Sequence, residues 1–113
     1  MMISRHWGGI ARRDCADRYV AHLEEETFPR LASLTGFVRA TILRREVDAG
    51  TEFRIVTVWE SEQSIRAFAG ADVEAAVVPD KAKAMMVEYD RRATHYEVVT
   101  TVDAGKPARP DVP

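Results

Sequence analysis

The sequence predicts one α+β domain whose elements follow the order β-α-β-β-α-β. Three observations predict it. Runs rich in β-branched and aromatic residues at 2–10, 37–47, 52–60 and 92–102 read as strands, while the stretches after 14 and after 61 carry apolar residues at helical spacing. The 113 residues leave room for a single domain, at roughly 150 residues per domain. The run Phe53-Arg54-Ile55-Val56-Thr57-Val58-Trp59 is apolar on both faces, so its sheet needs cover on both sides.

The first strand, 2–10, is punctuated by Gly8-Gly9 and places Arg5 and Trp7 on one face and His6 on the other. Asp14 is then placed to cap a helix, with Asp17 complementing its N-terminal dipole. Ala16, Tyr19, Val20, Leu23 and Thr27 form the apolar stripe. His22, four residues after Arg18 and three and four before Glu25 and Glu26, reads as a solvated, charge-paired position. Pro29 imposes a kink or a fresh turn, and Gly36 closes the element in a left-handed conformation. Strands 37–47 and 52–60 form a hairpin around Asp48-Ala49-Gly50-Thr51.

Ser61 caps a helix with Ile65, Phe68 and Ala69 inward, ending near Gly70. A short turn from Asp72 carries Val73, Ala76 and Val77 to Pro79. Beyond it Ala82, Met85, Met86 and Tyr89 recur at i, i+3, i+4 and i+7, which reads as a second helical segment. Residues 92–102 form the last strand. The stretch 103–113, with Pro107, Pro110 and Pro113, is expected to be a flexible tail, so the domain is assigned to residues 1–102.

This order is the ferredoxin-like split βαβ arrangement. Two helical segments cover only one face of a four-stranded sheet. A second copy of the sheet, related by a two-fold axis, is the economical cover for the other, which predicts a homodimer with a barrel-like core. Sixteen basic and eighteen acidic side chains give a net charge of −2, with no electrostatic footprint for nucleic acid or an anionic membrane. Cys15 has no internal disulfide partner, no apolar run reaches the ~20 residues of a membrane span, and the start lacks a signal-peptide pattern. The expectation is a cytoplasmic protein.

His6, His22, His95 and Cys15 show no metal-ligand spacing, and neither a phosphate-cradling loop nor a Gly-x-Ser-x-Gly elbow occurs, so no cofactor is expected. His95 is the candidate catalytic residue. A titratable imidazole in mid-strand can act as a base or donate to a bound oxygen, although a helix-facing or interface histidine with both nitrogens satisfied would look the same. Glu97 shares its face and could orient the ring. Candidate substrate-binding residues are Trp7, which can stack on a flat ligand, Trp59, read first as packing and second as pocket lining, His6 opposite the last strand, and the apolar Phe68, Met85 and Met86.

The stretches Ile3-Ser4-Arg5-His6-Trp7-Gly8-Gly9, Val58-Trp59-Glu60-Ser61, Ala67-Phe68-Ala69-Gly70, Ala76-Val77-Val78-Pro79 and His95-Tyr96-Glu97-Val98-Val99 resemble the antibiotic biosynthesis monooxygenase superfamily, over residues 1–102. The resemblance implies the dimeric α+β barrel fold. It also implies cofactor-independent oxidation of an aromatic, polyketide-like small molecule by dioxygen, with His95, Tyr96, Trp7 and His6 as the positions that could serve it. Haem-degrading relatives use an Asn, a Trp and a helix-borne His. This chain has no Asn, and its 72–90 stretch has no His. The alternative reading is a non-catalytic dimer that binds a hydrophobic metabolite or assists another enzyme. The two part on His95, which an enzyme needs facing a cavity.

Overall fold

Strand β1 (Ile3–Ala11) is the centre of the sheet in the computed structural model, which describes residues 1–110. A 3₁₀ turn (Arg13–Cys15) leads into helix α1 (Ala16–His22). Asp14 lies inside that turn and does not cap it. The cap positions fall to Arg12 and Cys15, without a side-chain cap. The expected interruption at Pro29 is spread over a wide turn at Leu23–Thr27, where the Phe28 N–H bonds the Leu23 carbonyl five residues back, before α2 (Phe28–Ala32). Proline lacks the N–H that a regular helix would donate at 29, and widening the preceding turn accommodates its ring.

Strands β2 (Phe37–Val47) and β3 (Gly50–Trp59) pair through a two-residue connection, Asp48-Ala49, shorter than the expected four. Helix α3 (Glu62–Ala69) starts as expected, with Ser61 Oγ accepting the Ser64 N–H at 3.2 Å. Gly36 has φ 87°, and a Cβ there would come within 2.1 Å of Ser64 Oγ while its carbonyl accepts the Glu60 N–H at 2.7 Å. Only glycine allows both the left-handed backbone and this approach.

The second helical segment is corrected. Helix α4 spans only Asp80–Lys83, and Met86–Tyr89 is strand β4, antiparallel to β1. The unpaired edge of β1 offers a hydrogen-bonding ladder that outweighs local helical spacing. Strand β5 (Thr94–Glu97) continues along the same edge of β1, shorter than the expected 92–102. The break between them is held by the Asp90 N–H on the Gly8 carbonyl (2.8 Å) and the Gly8 N–H on the Asp90 carboxylate (3.0 Å). A separate ladder pairs β6 (Thr100–Thr101), within the expected 92–102 strand, with β7 (Arg109–Pro110), within the expected 103–113 tail. The rest of that expected tail, 111–113, lies outside the described residues.

The resulting order β2-β3-β1-β4, with β5 beside β1, is that of a ferredoxin-like sheet. Phe53, Ile55 and Trp59 face the helices in two core clusters, one with Tyr19 and Leu23, the other with Leu31 and Ile65. The other face carries Val58 (buried), His6 and Val56 (half-buried) and Leu43 and Tyr96 (exposed). Among the described residues no helix is long and apolar enough to cross a membrane.

Candidate functional site

Between sheet and helices the core is not filled. A cavity of about 60 Å³, open at its mouth, lies between Arg5 and Trp7 of β1, His22 and Phe28 of the first helical run, Phe68 of α3 and Val78 of the following loop. Alternation along β1 puts Arg5 and Trp7 on this side. The wide turn after α1 sets His22 and Phe28 opposite them.

Arg5 is 4% exposed. Its Nη1 donates to the Val73 carbonyl and, at 2.8 Å, to His95 Nε2, while Nη2 donates to the Ala75 carbonyl at 2.8 Å. The guanidinium carbon stands 5.8 Å from the centre of the Phe68 ring. Every one of these partners is uncharged. Burial pulls the Arg5 pKa down, opposed in part by Glu74. The cation therefore lies in the cavity wall with its hydrogen bonds made to dipoles rather than to a carboxylate.

His95 is not in the cavity lining. It stands behind Arg5, half-buried on β5, and because Arg5 can only donate, Nε2 is its acceptor nitrogen. Burial first, and then the neighbouring Arg5 charge, push the His95 pKa down, against Glu74 and Glu62. Glu97 is exposed.

Of the other sequence-derived candidates, Trp7 and Phe68 line the cavity. The Trp7 indole N–H donates to the Asp90 carbonyl at 2.7 Å. Trp59 is fully buried behind the lining, its ring 6.1 Å from Phe68 and 5.3 Å from Phe37, with its N–H on Thr57 Oγ1 at 2.9 Å. Met85 packs in the core and borders an outer groove with Glu26 and Lys81, and Met86 lies on β4 against the same core. His6 points to the opposite face of the sheet, with Nε2 2.8 Å from Ser4 Oγ and its ring 4.9 Å from Tyr96. Burial, then Arg54, lower its pKa.

His22 is the residue that sequence reasoning misplaced. Instead of a solvated position, its side chain is 5% exposed, its ring lies 6.3 Å from Tyr19 at 22°, and it borders both the cavity and the outer groove. Nδ1–H donates to Glu26 Oε2 at 3.2 Å, and Nε2 is buried without a hydrogen-bond partner among the described residues. The signal was present: His22 follows Tyr19 by three and adjoins Leu23, so it falls on the edge of the apolar stripe.

The protein is thus an α+β domain with a ferredoxin-like sheet, helices on one face, and a mostly apolar cavity between them bordered by an arginine and a histidine. The family model for antibiotic biosynthesis monooxygenases matches residues 11–93, well over half of the chain, and the protein belongs to that family. Among curated proteins none matches the chain by sequence. Similar solved structures include a candidate antibiotic biosynthesis monooxygenase from Bacillus cereus (16% identity, TM-score 0.66, 93% of this chain and 98% of that one). Another is a mutant of SnoaB, a cofactor-independent oxygenase from Streptomyces nogalater (16%, 0.62, 89% and 96%). A third is a monooxygenase from Streptomyces coelicolor in complex with nanaomycin D (20%, 0.53, 94% and 91%). At these identities the likeness is one of fold. It bears out the ferredoxin-like α+β reading and the family resemblance.

Proposed function

We propose that this protein is a cofactor-independent monooxygenase acting on an aromatic, polyketide-like small molecule bound between sheet and helices. The observation that carries the reading is the buried Arg5 cation, hydrogen-bonded to neutral groups, in a mostly apolar, aromatic-walled cavity. Such a site favours a flat ligand that can become an anion, and a phenol is the simplest. Trp7 and Phe68 supply flat walls, Trp59 backs Phe68, and Arg5 stabilises negative charge on the ligand oxygen. With His95 outside the cavity lining, the enzymatic reading no longer rests on that residue as the base in the cavity but on Arg5, through which His95 acts as a positioning residue, its Nε2 holding Nη1 in place.

In this reading a ring carbon that carries two hydrogens in the neutral ligand keeps one in the anion, the anion passes an electron to dioxygen, and the two radicals recombine at that carbon as a peroxide. The peroxide takes up a proton, in place of the one first lost, and its O–O bond breaks: one oxygen atom remains as a new carbonyl, and the other leaves as water with that proton and the remaining carbon-bound hydrogen. The protein's part is to hold the anion in a dry pocket. Two copies joined across the face that carries Val56 and Val58 would complete a dimeric barrel, and the partly exposed apolar residues there support it.

The test is oxygen uptake with an anthrone probe. Turnover is expected to consume one dioxygen per quinone formed, and to fall at least ten-fold in Arg5→Met. His95→Ala should lower kcat while Arg5-dependent binding weakens, and His95→Gln, which restores an acceptor, should recover part of it. Tight probe binding without oxygen uptake would overturn the enzymatic reading in favour of the non-catalytic binding protein.

A further inference from the structure

We infer that His22 is a second polar contact of the cavity and the group that takes the ligand's hydroxyl proton, so that the preferred ligands carry a hydroxyl within reach of the α1 end of the site. The inference rests on the proposed reading of the cavity as a phenol-binding site and adds a residue to it.

A buried imidazole has two nitrogens to satisfy. Both ring nitrogens need partners, and a buried polar atom left without one is a standing cost that a ligand can relieve. Here Nδ1 is engaged and Nε2 is not. Because the Glu26 carboxylate can only accept, Nδ1 carries the proton in the neutral ring, and the free lone pair is on Nε2. This is the tautomer a base needs, and the carboxylate behind the ring fixes it and the ring's orientation.

Glu26 is in turn held by Lys81 Nζ at 2.7 Å on the outer side of the helix. That contact joins the first helical run to α4 and fixes the carboxylate beside the ring. His22 also closes α1 directly before the wide turn at Leu23–Thr27, a local departure from regular helix of the kind that recurs at functional sites. Tyr19, stacked on the ring, adds no competing charge: burial drives its pKa up, which keeps it neutral.

The proton balance is simple. The ligand O–H bond breaks, its electron pair stays on oxygen, and the proton forms an Nε2–H bond. The imidazolium that results is paired with Glu26, and the phenolate lies in the field of Arg5. Arg5 and His22 thus divide the work, one stabilising the anion and the other removing the proton. An apolar ligand of the same shape leaves Nε2 unsatisfied and is discriminated against.

Phenol and toluene are near-isosteric and differ in this one group. Calorimetric titration of the wild-type protein and of His22→Phe with each gives the phenol-to-toluene affinity ratio. It is expected to be about ten-fold higher in the wild type, with His22→Gln recovering part of the difference. On the wild type, ring ¹⁵N NMR is expected to show the His22 Nε2 resonance moving with phenol and not with toluene, which serves even if His22→Phe does not fold. An unchanged ratio in His22→Phe, or phenol bound with the Nε2 resonance unmoved, overturns the role of His22 and leaves the cavity reading standing. Failure of both compounds to bind the wild type overturns the cavity reading and this inference with it.

Discussion

Replacing Arg5 by Met keeps most of the stem volume and removes the guanidinium. Three bonds go with it: those to the Val73 and Ala75 carbonyls and that to His95 Nε2. The two carbonyls belong to the loop between α3 and α4, which supplies Val77 and Val78 to the cavity wall. Each lost bond to a charged donor is worth roughly 1.5–3 kcal/mol in isolation. Against this stands relief from desolvating a cation, since exchanging a buried charge for an apolar side chain of similar size is often close to neutral. Other ties to the loop survive, namely Ala76 N–H on the Arg91 carbonyl (3.1 Å), Ala93 N–H on the Glu74 carbonyl (2.8 Å) and the Asp72–Arg92 ion pair.

The balance is a net destabilisation of about 1–3 kcal/mol, which for a domain of this size lowers Tm by roughly 5–12 °C. Thermal melting followed by far-UV circular dichroism measures it. Amide hydrogen exchange at Ala76 and Ala93 should accelerate more than exchange in β3, because the loop loses its anchor to the sheet. A variant with unchanged Tm and unchanged exchange at both amides would refute the view that Arg5 pins this loop to β1.

His95 has a folded-state pKa below its ordinary value of 6.5, so its contribution to stability is complete above pH 6.5 and is lost as pH falls through the depressed value. Protonation also removes the acceptor for Arg5, and a Tm that falls below pH 6.5 in the wild type but less in His95→Gln is the expected result. Val56 lies half-buried on the face opposite the helices. Val56→Asp should convert a sedimenting dimer to a folded monomer, and a wild-type protein that is monomeric at micromolar concentration would end the dimer proposal. Gly36→Ala, at φ 87° and with its Cβ driven to 2.1 Å from Ser64 Oγ, should cost about 2–4 kcal/mol in denaturant unfolding. In Ser64→Gly/Gly36→Ala the cost should drop towards the backbone strain alone.

Local chemistry was legible in the sequence wherever neighbours in the chain decide the outcome. The Ser61 cap, the left-handed Gly36, the helix end near Gly70, the hairpin of 37–47 with 52–60 and the disturbance at Pro29 all depend on residues a few positions apart, and period-two alternation placed Arg5 with Trp7 and His6 away from them. What only the tertiary structure decided are the contacts made across the chain. Met86–Tyr89 became a strand because the edge of β1, more than seventy residues earlier, supplied its hydrogen bonds. His95 went behind Arg5 because a pairing 90 residues apart satisfied a buried cation. His22 turned inward because the rotation of α1 is set by packing Tyr19 and Leu23 against the sheet, and side chains at the edge of a helical stripe are buried or solvated according to what the other layer presents.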